Sequence, residues 1–247
     1  MNAVLSRVAR AARRRIFSTA PRLPDAAGDS GHTTGGSDPV LRLAVLGDST
    51  AAGVGAATHD DALAGQLATA VAGLTGRAVS WRAIAESGAT TARVAATLTR
   101  DLVVPLEGWR PDVVVIVVGV NDLIRWRPLS AWRSDVTEVF RQVRRQAPDA
   151  IVVVSGLPPV GDFPLLPATI RPVAGFRARR MDAVLNEVAA QTGNSHVPLG
   201  GASKAHWFAQ DGFHPSAAGY RAWSRILAIA VADAVDDAAT QQLHRAS

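Results

Sequence analysis

The chain contains no cysteine, which excludes disulfides, a thiolate nucleophile and thiolate-held metal. The redox compartment stays open, because a protein without cysteine tolerates either environment. No run approaches the ~18 uninterrupted apolar residues that a membrane-spanning helix needs. Lysine is almost absent, with Lys204 the single example. No Gly-x-x-x-x-Gly-Lys-Ser/Thr occurs, so a P-loop is excluded. The nearest match to a Gly-x-Ser-x-Gly nucleophile elbow, Gly201-Ala202-Ser203-Lys204-Ala205, lacks the last glycine. It also lies too close to Asp211 and His214 to leave room for the intervening strands.

A strong basic field is missing as well. The net charge is +5, but residues 1–40 carry six arginines against three aspartates and so hold most of it. Nucleic acid is therefore not an expected partner. His206, Asp211 and His214 come nearest to a metal set, yet no further strong ligand stands beside them. No metal or cofactor is expected.

What is present begins with 247 residues of 48% apolar composition, enough to bury one full-sized core. Residues 1–17 read as a basic amphipathic segment, with Val4, Leu5, Val8, Ala12 and Ile16 set apart from most of the arginines. A solvated extension is the first reading of it and weak peripheral membrane contact the second. It lacks the apolar region of a secretory signal, and a cytoplasmic location is the expectation. Residues 25–38 read as a flexible linker by composition. The expected organisation is an extension and linker over 1–39, one folded domain over 40–236 and a polar tail over 237–247.

From residue 40 strands and helices alternate. Strands are expected at 41–46, 78–84, 112–118, 150–155 and, more weakly, 196–199. The run Asp112-Val113-Val114-Val115-Ile116-Val117-Val118 is apolar on both faces, as a central parallel strand covered on each side is. Helices are expected between them, one carrying Leu63, Leu67, Ala70 and Leu74 on one face with Gly76 as its stop, another over 134–146 burying Val136, Val139, Phe140 and Val143, and others over 175–192 and 216–236. Such a series predicts an α/β domain: a three-layer α/β/α sandwich on a mainly parallel, five-stranded sheet.

Four short motifs fall at the carboxyl ends of strands or before the last helix, where an open parallel sheet places its crevice. They are Gly47-Asp48-Ser49-Thr50, Glu86-Ser87-Gly88-Ala89, Gly119-Val120-Asn121-Asp122 and Asp211-Gly212-Phe213-His214-Pro215. Ser49 is a candidate nucleophile that needs a base. An imidazole such as that of His214 is suited to take its proton and return it to a leaving group. Asp211, three residues upstream in a turn, is spaced to orient that imidazole. Asn121 offers uncharged donors, and Gly88 a backbone N–H with no side chain in the way. Asp48 and Asp122 read as acceptors that hold the loops.

In this order the motifs resemble the SGNH/GDSL hydrolases over about residues 41–235, with Gly-Asp-Ser-Thr in place of the usual Gly-Asp-Ser-Leu. The resemblance implies a flavodoxin-like sheet and a serine hydrolase of carboxylic esters. It implies Ser49 as nucleophile, His214 as base, Asp211 as its orienting carboxylate, and an oxyanion hole made by the Ser49 N–H, the Gly88 N–H and the Asn121 side chain. Trp126, Trp132, Phe163, Leu165, Leu166, Trp207 and Phe208 lie in loops beside these motifs. With the proline-rich stretch 157–172, they suggest an apolar pocket for a lipid-like or aryl ester. An acyltransferase, a carbohydrate O-acetylesterase and a non-catalytic binding protein remain the alternatives.

Overall fold

The computed structural model describes residues 20–103, 108–201 and 203–246. The expectation for residues 1–17 falls outside them. Among the described residues six strands form one sheet: β1 (Ser30–His32), β2 (Ser37–Gly47), β3 (Arg77–Ala85), β4 (Val113–Val117), β5 (Ile151–Ser155) and β6 (Ser195–Val197). Their order is β1-β3-β2-β4-β5-β6. All neighbours are parallel except β1, which runs antiparallel on the outer edge of β3. Without β1 the order is second, first, third, fourth, fifth, that of a flavodoxin-like sheet. Its strand order reverses between β2 and β4, which opens a crevice at their carboxyl ends.

The sheet thus has six strands rather than five. The strand missing from the sequence reading, Ser30-Gly31-His32, is short, polar and largely exposed, so it carries no apolar alternation. Its register depends on close approach: a Cβ on Gly31 would sit 2.8 Å from the Trp81 ring. The stretch read as linker therefore holds a paired edge strand. Ala26 and Ala27 within it also donate to the Ala52 and Ala57 carbonyls.

Among the described residues six helices surround the sheet: α1 (Leu63–Thr75), α2 (Thr91–Ala96), α3 (Val120–Ile124), α4 (Leu129–Gln146), α5 (Arg171–Gln191) and α6 (Ala217–Ala246). The last of these runs on to Ala246, within the residues read as a tail. The pleat of β4 divides the core in two. Val113, Val115 and Val117 pack with α1 and α6 on one face, and Val114 and Ile116 pack with α2, α4 and α5 on the other. Alternate side chains of one strand face opposite sides, so a strand of consecutive branched residues supplies both cores.

On α1, Leu63 and Leu67 are buried and Ala70 is partly buried, as expected, and Ala64, Ala68 and Val71 are buried with them, whereas Leu74 is 56% exposed in the last turn. Small residues share this contact with Leu63 and Leu67, in one cluster with Leu227, Ala228 and Val231 of α6. Among the described residues no helix is long and apolar enough to cross a membrane.

Candidate active site

Strand β2 ends at Gly47, where a Cβ would lie 2.1 Å from the Val117 carbonyl oxygen of the adjacent strand. Only glycine allows the two strand ends to close so tightly, and the next residues turn across the switch point. The Asp48 N–H donates to the Val117 carbonyl and the Thr50 N–H to Asp48 Oδ1. The Ser49 N–H between them donates to no described residue. Behind it the Val54 N–H donates to the Ser49 carbonyl, and the buried Tyr220 hydroxyl donates to the Val54 carbonyl at 2.7 Å. Core and loop thus hold Ser49 in place.

Ser49 Oγ lies 2.9 Å from His214 Nε2, and His214 Nδ1 lies 2.6 Å from Asp211 Oδ2. Asp211 Oδ1 accepts from the N–H groups of Phe213 and His214, so the carboxylate shapes its own turn. Burial pushes the Asp211 carboxyl up, but the hydrogen bonds from the His214 ring and from those two N–H groups outweigh it and hold it below the usual carboxylate range. An ionised carboxylate only accepts. Nδ1 therefore carries a proton, and in the neutral ring this leaves the lone pair of Nε2 for the serine hydroxyl. The phenyl ring of Phe213 meets the imidazole edge to face at 4.9 Å.

Asn121 lies in the short helix α3 after β4, entered through Gly119 at φ 117°. A Cβ on Gly119 would meet the Trp132 ring at 2.9 Å. Asn121 Nδ2 donates to Asp48 Oδ2 at 3.1 Å, which fixes the amide and leaves its second N–H for the cavity. Gly88 sits in the turn after β3 at φ 81°, next to the Ser49 strand through the bond from the Glu86 N–H to the Gly47 carbonyl. Arg125 Nη2 donates to the Gly88 carbonyl, and Asp122 Oδ2 accepts from both the N–H and the hydroxyl of Thr91. The loops after β3 and β4 are thereby tied to each other. Gly88 is not among the residues that line the cavity.

The role of Asp48 extends beyond the loop acceptor read from the sequence, because it also sets the rotamer of Asn121. Its carboxyl is pushed up to about 6, chiefly by burial, against the hydrogen bonds from Thr50 and Asn121 and the attraction of His214. A folded-state pKa above the unfolded value means that the folded form holds this proton more tightly. The associated stability is present below about pH 4 and is lost as pH rises through about 6. The expected size is roughly 3 kcal/mol. Relative to Asp48→Asn, which cannot ionise, the native protein should lose about that much stability between pH 4 and pH 7 in urea melts. A difference that does not change with pH would mean that Asp48 ionises as it does in the unfolded chain.

Ser49, Asn121 and His214 open into one cavity of about 800 Å³, its open mouth included. Phe163, Trp207 and Phe208 line it as expected, with Pro158 and Pro159 from the proline-rich stretch. Trp132 does not: it is fully buried in the core, its indole N–H donating to the Met181 carbonyl. Trp126 lies on the surface beneath the Arg177 guanidinium, 5.0 Å from its ring centroid. Leu166 is buried in the core and Leu165 stands outside the wall. The sequence reading passed over Phe213, inside the last motif, and Trp223 and Ile226 on α6, which also line the cavity. Their spacing after His214 was the available signal, masked by α6 being apolar on several sides.

Comparison with known proteins agrees with this architecture. The family model described as GDSL-like Lipase/Acylhydrolase matches residues 45–222. A GDSL-like esterase of Mycobacterium tuberculosis is 28% identical over 211 residues, 83% of this chain. The chain spans 66% of that relative's length. A lipase/acylhydrolase from Enterococcus faecalis superposes with a TM-score of 0.62 at 20% identity, covering 78% of this chain and 96% of its own. A carbohydrate acetylesterase from Sinorhizobium meliloti also gives 0.62, at 17% identity, covering 78% of this chain and 99% of its own.

Proposed function

This chain belongs to the GDSL-like lipase/acylhydrolase family, and on that premise we propose that it hydrolyses carboxylic esters through an acyl-enzyme on Ser49. The observation that carries this reading is the continuous hydrogen-bonded series from Asp211 through His214 to Ser49 at the floor of an apolar cavity.

In the first step Ser49 Oγ attacks the ester carbonyl carbon while His214 Nε2 takes the hydroxyl proton. The carbonyl oxygen becomes an oxyanion, received by the Ser49 N–H and the free N–H of Asn121, with the Gly88 N–H, from outside the cavity lining, as the third donor that the family resemblance implies. Each such donor contributes about 3 kcal/mol at the transition state. Asp211 stabilises the imidazolium without taking its proton. Collapse breaks the bond to the leaving alkoxide, which receives the proton from His214. Water then repeats the sequence on the acyl-enzyme, releasing the acid and restoring Ser49.

The cavity walls are aromatic and aliphatic, with Phe163, Phe208 and Phe213 meeting edge to face at 5.3 and 5.4 Å. Such a surface suits a lipid-like or aryl ester better than an acetylated sugar, whose hydroxyls need polar partners. The test combines turnover of p-nitrophenyl esters with labelling by a fluorophosphonate probe. Turnover together with probe attachment at Ser49 supports the reading. A protein that neither turns over esters nor reacts with the probe refutes it.

A further inference from the structure

The cavity has a direction. Gly219, Ala222, Trp223 and Ile226 line it from α6, at spacings of three, four and seven residues. That places them on one helical face. The row starts beside His214 and Pro215 and ends at Ile226, which both lines the cavity and is 39% exposed. Seven residues at 1.5 Å each make a track about 10 Å long.

This track is prebuilt. A Cβ on Gly219 would lie 2.2 Å from the Trp207 carbonyl, so glycine is what lets the segment carrying Trp207 lie directly on the helix. The Ser216 N–H donates to the same carbonyl at 2.8 Å and the Ser216 hydroxyl to the His206 carbonyl at 2.7 Å. The Trp223 indole N–H donates to Ser155 Oγ at 2.9 Å, which satisfies its polar edge and leaves an apolar ring face for the cavity. An oriented indole and a clamped wall need little ordering when a chain enters.

The geometry points to a substrate class, resting on the ester-hydrolase reading above: an ester with one unbranched alkyl chain that lies along α6 and leaves the protein at Ile226. At about 1.2 Å per bond, the spacing of an extended backbone, a track of this length takes about eight or nine carbons. Carbons beyond that emerge into water and add nothing. Each methylene that is buried adds up to about fourfold to kcat/KM. Ile226 and Ala222 then set the length preference, Ala222 standing one helical turn nearer to Ser49.

Two ester ladders test this, p-nitrophenyl esters of increasing acyl length and alkyl acetates of increasing alcohol length. The ladder that shows the length dependence identifies which side of the ester carries the chain. In the native protein kcat/KM should climb to about eight or nine carbons and then level. Ala222→Phe should bring the plateau back by about five carbons and lower the ratio of ten-carbon to four-carbon turnover at least tenfold. Ile226→Asp, at the exposed end and harmless to folding, should lower that ratio several-fold. Ile229→Asp, on the same helix but outside the cavity, should leave it unchanged. Ser49-dependent turnover with no length dependence in either ladder, or with both cavity variants matching the native ratio, overturns the inference. Absence of any Ser49-dependent turnover would instead overturn the hydrolase reading, and this inference with it.

Discussion

Replacing Ser49 with alanine is expected to lower ester turnover by about four orders of magnitude or more while the protein stays folded. The change removes one oxygen, the atom 2.9 Å from His214 Nε2. The residue is 9% exposed at the floor of a cavity, so the truncation leaves space that water can fill and no buried charge loses its partner. Asp211 keeps its bonds to the His214 ring and to the two turn N–H groups. Circular dichroism and the melting temperature should therefore match the native protein, which separates loss of chemistry from loss of fold. The residual rate should come from the remaining donors and the bound pose alone. Turnover near the native level in this variant would remove Ser49 as the nucleophile.

Asn121→Ala is expected to reduce kcat by about 10²- to 10³-fold, with KM changed by less than about threefold. An oxyanion donor acts on charge that develops only after attack, so its loss falls on the transition state and not on substrate binding. The amide is well placed for this because one N–H is already committed to Asp48 Oδ2, and the rotamer needs no rearrangement during the reaction. The variant also leaves Asp48 Oδ2 without that donor in a buried site. A modest stability loss of about 1–2 kcal/mol should accompany it. Activity measured well below the unfolding transition keeps the two effects apart. A rise in KM at constant kcat would assign Asn121 to substrate binding instead of oxyanion stabilisation.

The two variants probe different kinds of information in the chain. The contact between Asp211 and His214 is local, since three residues in one turn let the carboxylate reach both the ring and the backbone. Its motif was legible for that reason. The strands were legible too: β4 has branched residues at every position, and β2, β3 and β5 fall within a few residues of where their apolar runs lie. Strand β1 was not, because its three residues hold no apolar pattern and its place comes from an edge of β3 and the ring of Trp81. Trp132 and Trp126 show the same limit. An indole in a loop or early helix looks alike in sequence whether it ends in the core or on the surface.

By itself the sequence determined an alternating α/β chain with a mainly parallel sheet, and it placed a serine, a glycine, an asparagine and an aspartate–histidine turn in the loops around one end of that sheet. Apolar periodicity and turn chemistry act over a few residues, so they survive in a linear reading. Only the tertiary structure decided what crosses long separations: Ser49 to His214, 165 positions apart, and Asp48 to Asn121, 73 positions apart. It decided too which aromatic side chains face the cavity and which residues of α6 line it. Those outcomes depend on how layers close on one another, where burial and close packing select among faces that the sequence leaves nearly equivalent.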